Sequence, residues 1–214
     1  MDRQIVILGS GAHARVVHDI LLACGEGQSV AAFVDVDGDG PGGASVSGRP
    51  LMSGLDEFDR YIKTHDVTAI IGHGNNSRRR AIMGWLDQRG MEAGNAVHPS
   101  AVISPDVDIA PGTTVSAGAV ILTGSRIGRA VIINTAATID HDCVVDDFAQ
   151  LAPGAHLAGR VHVQEGAFIG IGAAVIQNLT VGRGCVIGAG AAVVRAAPEH
   201  TLVIGVPGRV RRQL

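Results

Sequence analysis

Aromatic side chains are scarce, one Trp, one Tyr and four Phe, or 3% of 214 residues. A core has to be assembled instead from small and β-branched side chains in tight layers. Positive charge is short as well. Lys plus Arg number 17 against 20 Asp plus Glu, a formal net charge of −3, which gives no basic surface for nucleic acid. No apolar run reaches the ~20 residues that cross a bilayer, so no membrane insertion is expected. The start, Met1-Asp2-Arg3-Gln4, enters a short apolar run without the length or cleavage site of a signal peptide. The cytoplasm is the default compartment. Three cysteines, Cys24, Cys143 and Cys185, form no CxxC pair and no metal-ligand cluster. Their odd number and apolar neighbours read as buried thiols in a reducing compartment. Glycine is plentiful, at 30 residues, but does not recur every third position, which excludes collagen.

What is present divides the chain in two, at 1–92 and 93–214. The first part reads as a small α/β domain. Ile5-Val6-Ile7-Leu8 is a buried strand, Gly9-Ser10-Gly11 a turn, and residues 12–24 carry helical spacing at Val16, Val17, Ile20, Leu21 and Leu22. Val30–Val34 is a second strand ending at Asp35, and Asp37–Gly48 reads as a glycine- and acid-rich loop. Leu55–Ile62 suits a short helix and Thr68–Ile71 a third strand. Asn76 or Ser77 caps a helix running to about Gln88. Three strands alternating with helices imply a small parallel sheet.

The second part has another period. Val97, Ile103, Ile109, Val115, Ile121, Ile127, Ile133, Ile139, Val145, Leu151, Leu157, Val163, Ile169, Val175, Val181, Ile187 and Val193 stand six apart without a slip. With aliphatics at a third of positions, chance gives such a run roughly once in 10⁸. Small or β-branched residues follow four places later (Ala119, Ser125, Ala137, Cys143), and glycines three places later (Gly118, Gly124, Gly154, Gly172, Gly190). A six-residue period is the hexapeptide repeat of a parallel β-helix. Three hexads close one 18-residue coil, and the large aliphatics stack inside over about 97–194. This periodicity sets a scaffold and establishes no chemistry.

Several residues invite a functional reading. His141 stands two places after core Ile139, outside the aliphatic stack, between Asp140 and Asp142. A carboxylate beside an imidazole fixes its tautomer and strengthens it as a base; the alternative is a solvent-facing polar corner. His156 and His162 occupy related corners and read as surface histidines. In the first part, Gly9-Ser10-Gly11-Ala12-His13-Ala14 fits GxGxxA between strand and helix, with Asp35 one strand later. A dehydrogenase would use both for NAD, but three strands and no second α/β half speak against that. No serine or cysteine sits in a nucleophile elbow, and the scattered histidines promise no metal site.

Taken together, Ile7-Leu8-Gly9-Ser10-Gly11-Ala12-His13-Ala14-Arg15-Val16-Val17, Ile139-Asp140-His141-Asp142-Cys143, Pro153-Gly154-Ala155-His156-Leu157-Ala158-Gly159 and Val203-Ile204-Gly205-Val206-Pro207-Gly208 resemble the bacterial sugar acyltransferases related to the sialic acid O-acetyltransferases. The resemblance covers essentially the whole chain. It implies a left-handed coil, a homotrimer, acetyl-CoA as co-substrate, no metal, and direct acetyl transfer. The nearest likeness is to N-acetyltransferases of nucleotide-linked 4-amino-4,6-dideoxy sugars, with GDP-perosamine as the favoured acceptor. A UDP-linked amino sugar, or O-acetylation, is the alternative, and a β-helix with no activity is the rival of another class.

The same resemblance assigns roles. His141 matches the general base and Asp142 its orienting acid, with Asp140 as substitute. His156, Gly159, Gly172, Gly190 and Pro207 lie along the coenzyme groove between subunits, Gly159 as a backbone N–H donor near the thioester. Arg209, Arg211 and Arg212, basic and close to its adenine end, either meet its phosphates or form a solvated basic tail. The family often has histidine where this chain has Gln150, so no contact is carried over there. Gly9, Gly11, His13, Asp35 and Asn75 fall to the sugar nucleotide, with its pyrophosphate at the helix N-terminus.

Overall fold

The computed structural model describes residues 3–38 and 45–214. The chain forms two compact units, Met1–Pro99 and Ser100–Leu214.

In the first unit the aliphatic run makes β1 (Gln4–Leu8), and α1 (Ala12–Ala23) follows through Gly11. Next come β2 (Val30–Val34), β3 (Ser45–Val46), β4 (Arg49–Met52), α2 (Leu55–Tyr61), β5 (Val67–Ile71), α3 (Asn76–Asp87) and β6 (Ala93–Gly94). The sheet order is β3-β4-β2-β1-β5-β6. The expected count of three strands is corrected to six among the described residues. The additional strands are two to four residues long and lack the aliphatic run that marks a buried strand, so the pattern gave no sign of them. Strand number therefore does not separate this unit from a dinucleotide-binding sheet. Of the loop expected over 37–48, residues 39–44 lie outside the described residues, and Ser45–Val46 pairs antiparallel with Arg49–Met52.

Strand β1 is central and parallel to both neighbours. Leu8 stands opposite Val34 on one side and Ile71 on the other. The carboxyl ends of β1, β2 and β5 therefore finish level, where the chain has gone first to one side of β1 and then to the other. Such a switch point is where open α/β sheets bind ligands. Helix α1 buries Ala14, Val17, Ile20 and Leu21 against the sheet, together with His18, whose ring meets Phe33 edge-on at 5.6 Å.

In the second unit, two-residue strands recur from Val102–Ile103 to Ala192–Val193. The hexad residue is the second of each pair. Register is parallel with an offset of one 18-residue coil: Ile121 pairs with Ile139, Ile139 with Leu157, Leu157 with Val175 and Val175 with Val193. Side chains alternate along a strand, so the hexad aliphatics all point inward. Ile121, Ile139, Leu151, Val163 and Ile187 are each fully buried. At about 1.5–3 kcal/mol for each buried aliphatic side chain, these columns dominate the stability of the unit. An antiparallel hairpin of Thr201–Ile204 and Arg209–Gln213 ends the stack.

Cys143 and Cys185 are buried as expected, but Cys24 is exposed. It caps the carboxyl end of α1, past the face that packs on the sheet, and its Sγ donates to the carbonyl of Val97 at 3.2 Å. No helix among the described residues is long and apolar enough to cross a membrane.

Candidate active site

At the switch point of the first unit is a cleft of about 800 Å³. Its floor is the Ser10–His13 turn at the start of α1, and its wall is Gly72–Asn75 after β5. No side chain caps the amino end of α1, so its N–H groups and dipole favour an anion there. Gly11 lines the cleft, and a Cβ on it would meet nothing within 4 Å. Gly9 also makes room within the sheet. Its φ is +145°, and a Cβ would come within 2.4 Å of the Gly72 carbonyl oxygen. The missing side chain lets two strand ends pass.

Asp35 also sits a step back from the cleft. Its Oδ1 accepts from Ser10 Oγ and from Gly38 N–H, both at 3.2 Å, so it orders the turn and the following loop. The carboxylate that lines the cleft is Asp37, a residue the pattern did not single out. His73 Nδ1 accepts from Asn75 N–H at 3.1 Å, which leaves the proton on Nε2 for Asp37 Oδ2 at 2.6 Å. Arg78 Nε lies 3.0 Å from the other Asp37 oxygen, as an ion pair. The helix cap is Asn75, one residue before the expected Asn76 or Ser77. Its side chain accepts from Arg78 N–H at 3.1 Å because its own backbone is still extended. Asn75 thus lines the cleft while its oxygen is committed to α3.

His13 enters the cleft from the first turn of α1. Its Nε2 is buried with no hydrogen-bond partner among the described residues. Burial first, then the charges of Arg79 and His73, hold the imidazole down to about 4 from its ordinary 6.5, so it is neutral at pH 7. Arg79 is itself 1% exposed and donates from Nη1 to the Gly74 carbonyl at 3.0 Å. Burial lowers its pKa to about 10, which leaves it charged.

In the second unit, His141 stands at a corner. Its Nδ1 is 2.8 Å from Asp142 Oδ2. The two flanking acids are thereby distinguished: Asp140 Oδ1 accepts from the His141 backbone N–H at 2.7 Å and does not serve the ring. With Asp142 accepting at Nδ1, the lone pair falls on Nε2. The His141 side chain is 42% exposed, within reach of a ligand. Asp142 has φ 57°, a left-handed corner that Asp and Asn adopt more readily than most residues. Gly159 lies against the ring, one coil further on.

The other expected residues spread along the coils. His156 is exposed, its Nδ1 2.9 Å from Thr138 Oγ1 on the adjoining rung. His162 forms a second imidazole–carboxylate pair, Nε2 to Asp146 Oδ2 at 2.8 Å, on another face. Gly172 and Gly190 turn corners at φ +63° and +66°, and each would hold a Cβ in open space. Pro207 is exposed between the strands of the terminal hairpin, beside Arg209, Arg211 and Arg212. Among the described residues no group of three or more His, Cys, Asp and Glu side chains converges as a metal site would.

Comparison with known proteins covers both units. A family model described as the PglD N-terminal domain matches residues 4–86. The H141N variant of perosamine N-acetyltransferase from Caulobacter crescentus, solved in complex with CoA and GDP-perosamine, is 38% identical. That match covers 100% of this chain and 99% of that one, with a TM-score of 0.93. The acetyltransferase domain of PglB from Neisseria gonorrhoeae, in complex with acetyl coenzyme A, is 35% identical over 98% of this chain and 100% of that one, with a TM-score of 0.89. WeeI from Acinetobacter baumannii is 25% identical over 97% and 99%, with a TM-score of 0.85.

Proposed function

The chain belongs to the hexapeptide-repeat sugar acyltransferases, the family of perosamine N-acetyltransferase, and on that premise we propose that it moves the acetyl group of acetyl-CoA to the 4-amino group of a GDP-linked 4-amino-4,6-dideoxy sugar. The observation that carries the proposal is the His141–Asp142 pair, with Nδ1 held at 2.8 Å and the ring on an accessible corner. The Caulobacter protein was crystallised with CoA and GDP-perosamine together, as variants at a histidine of the same number. This supports a role for that position in chemistry more than in holding either substrate.

The chemistry follows from the amine. A sugar ammonium has no lone pair, so a proton must leave before nitrogen can attack. That first proton passes to solvent. The free amine nitrogen then bonds to the thioester carbonyl carbon while His141 Nε2 takes the second proton from it, and Asp142 stabilises the imidazolium that forms. The tetrahedral oxyanion is steadied by backbone N–H groups, among which Gly159 is our candidate. Collapse breaks the carbon–sulfur bond. The amide leaves with the acetyl group, and the proton passes from His141 to the departing thiolate. Neither a metal nor an acetyl-enzyme enters this sequence. In the first unit, the uncapped start of α1 with Gly11 and neutral His13 receives the nucleotide pyrophosphate. The homotrimer belongs to the same proposal, with coenzyme lying along coils that include His156, Gly172, Gly190 and Pro207.

A thiol-release assay with acetyl-CoA and a panel of GDP- and UDP-linked amino sugars tests it. We expect release with a GDP-linked 4-amino sugar, and at least 10²-fold slower release for His141→Asn, the lower end of general base catalysis. No release with any amino sugar refutes the proposal, and faster release with UDP-linked sugars corrects the base.

A further inference from the structure

Five residues share one corner position at successive coils: Thr123, His141, Gly159, Gln177 and Arg195, each two places after a buried hexad residue. Four of them carry side chains beyond Cβ, so the corner does not demand glycine. Gly159 does not have the positive φ that would call for it either, and an L-residue fits its backbone. The three atoms that a side chain there would meet first all belong to His141. A Cβ on Gly159 would stand 2.4 Å from His141 Nε2, 2.6 Å from Cε1 and 3.0 Å from Cδ2. Non-bonded contacts of this kind settle at about 3.5–4.0 Å. Swinging the ring clear would break its contact with Asp142, held at 2.8 Å.

We propose that Gly159 is a positioning residue for the base: the space its missing side chain leaves is where the Nε2 edge of His141 sits. This rests on His141 being the base. It is distinct from any use of the Gly159 N–H as an oxyanion donor, and the two roles part on a single substitution. Alanine keeps the N–H and suits the backbone, so a glycine needed only as a donor is replaceable. A glycine needed as space is not.

The test is a cycle of Gly159→Ala, His141→Ala and the double variant, with kcat, both KM values and thermal midpoints measured on each. Gly159→Ala should lower kcat by about 10²-fold, the cost of misplacing a reacting group by about 1 Å. Both KM values should stay within about twofold, an expectation from the same geometry. In the His141→Ala background the second change should cost nothing further, since no ring remains to displace. Any thermal shift caused by Gly159→Ala should vanish there too, and a single variant that fails to fold should be rescued in the double. Wild-type kcat in Gly159→Ala, an equal loss in both backgrounds, a rise in KM alone, or a double variant that also fails to fold each overturn the proposal. Wild-type kcat in His141→Ala instead overturns the assignment of the base.

Discussion

Acid should weaken the first unit through His13, and the size of the effect follows from its burial. The folded imidazole takes a proton only at about 4, whereas a free one does so at 6.5. Between those values the unfolded chain binds more protons than the folded one, so stability rises with pH across that window. The contribution is complete above pH 6.5 and is lost as pH falls towards 4. Each tenfold rise in proton concentration below 6.5 costs the fold about 1.4 kcal/mol, so the loss is about 2 kcal/mol at pH 5 and levels off near 3 kcal/mol by pH 4. Against a typical total of about 5–15 kcal/mol this is readily measured. The only tryptophan, Trp85, lies in α3 of this unit with Arg89 stacked 3.7 Å over its ring. Its fluorescence in urea titrations therefore follows this unit. His18, buried against Phe33 and also lowered by burial, acts with the same sign, so His13 has to be isolated by difference. Stability of wild type minus that of His13→Gln, taken at pH 7.5 and at pH 5, should fall by about 2 kcal/mol. A difference that does not change between the two pH values refutes the reasoning.

His141→Asn should leave assembly and both affinities intact while kcat falls by roughly 10²–10⁴-fold; a folded, fully active variant removes His141 from the mechanism. Asp142→Asn should cost less in kcat, because the ring remains and asparagine accepts a φ of 57°. Gly11→Val places its side chain in the open cleft and should raise KM for the sugar nucleotide without touching coenzyme binding or folding; unchanged KM for both substrates dismisses the cleft as the nucleotide site. Ile139→Asp puts a charge into the column between Ile121 and Leu157, a burial that costs several kcal/mol. Loss of the strand signal in circular dichroism is expected, and a native spectrum contradicts the stacking. Light scattering checks the proposed trimer, and a monomer at working concentration refutes it.

The coils were legible because each repeats the last. Seventeen aliphatics at one spacing leave a single frame, and the observed pairing of Ile139 with Leu157 is that frame closed on itself. The pair at His141 was legible because its partner is the next residue, where no tertiary knowledge is needed. The choice of Asp142 over Asp140 came from the family resemblance and not from the pattern, since it depends on which carboxylate the corner turns towards the ring. Asp37 and His73 escaped notice for a related reason. They are 36 residues apart and meet only because β2 and β5 end level on either side of β1. Gly9 belongs to the GxGxxA spacing and also makes room for the Gly72 carbonyl, a neighbour that the spacing does not reveal. The short strands β3, β4 and β6 leave no trace because their pairing is set by the longer strands beside them.

The stacked coils also act as a ruler with fixed graduations. One turn of 18 residues advances the stack by a single strand spacing, about 4.8 Å, and no smaller step returns a residue to the same face. His141 and Arg195 hold the same corner three turns apart, which sets them about 14 Å from each other along the axis. Losing a single residue inside a strand would rotate every later side chain out of place. Losing a whole coil between them would keep the column filled and bring the terminal hairpin one graduation closer to His141. The distance over which this protein can hold an extended ligand is therefore adjustable only in whole coils, and chain length within the stack should vary among its relatives in multiples of 18 or at the corners.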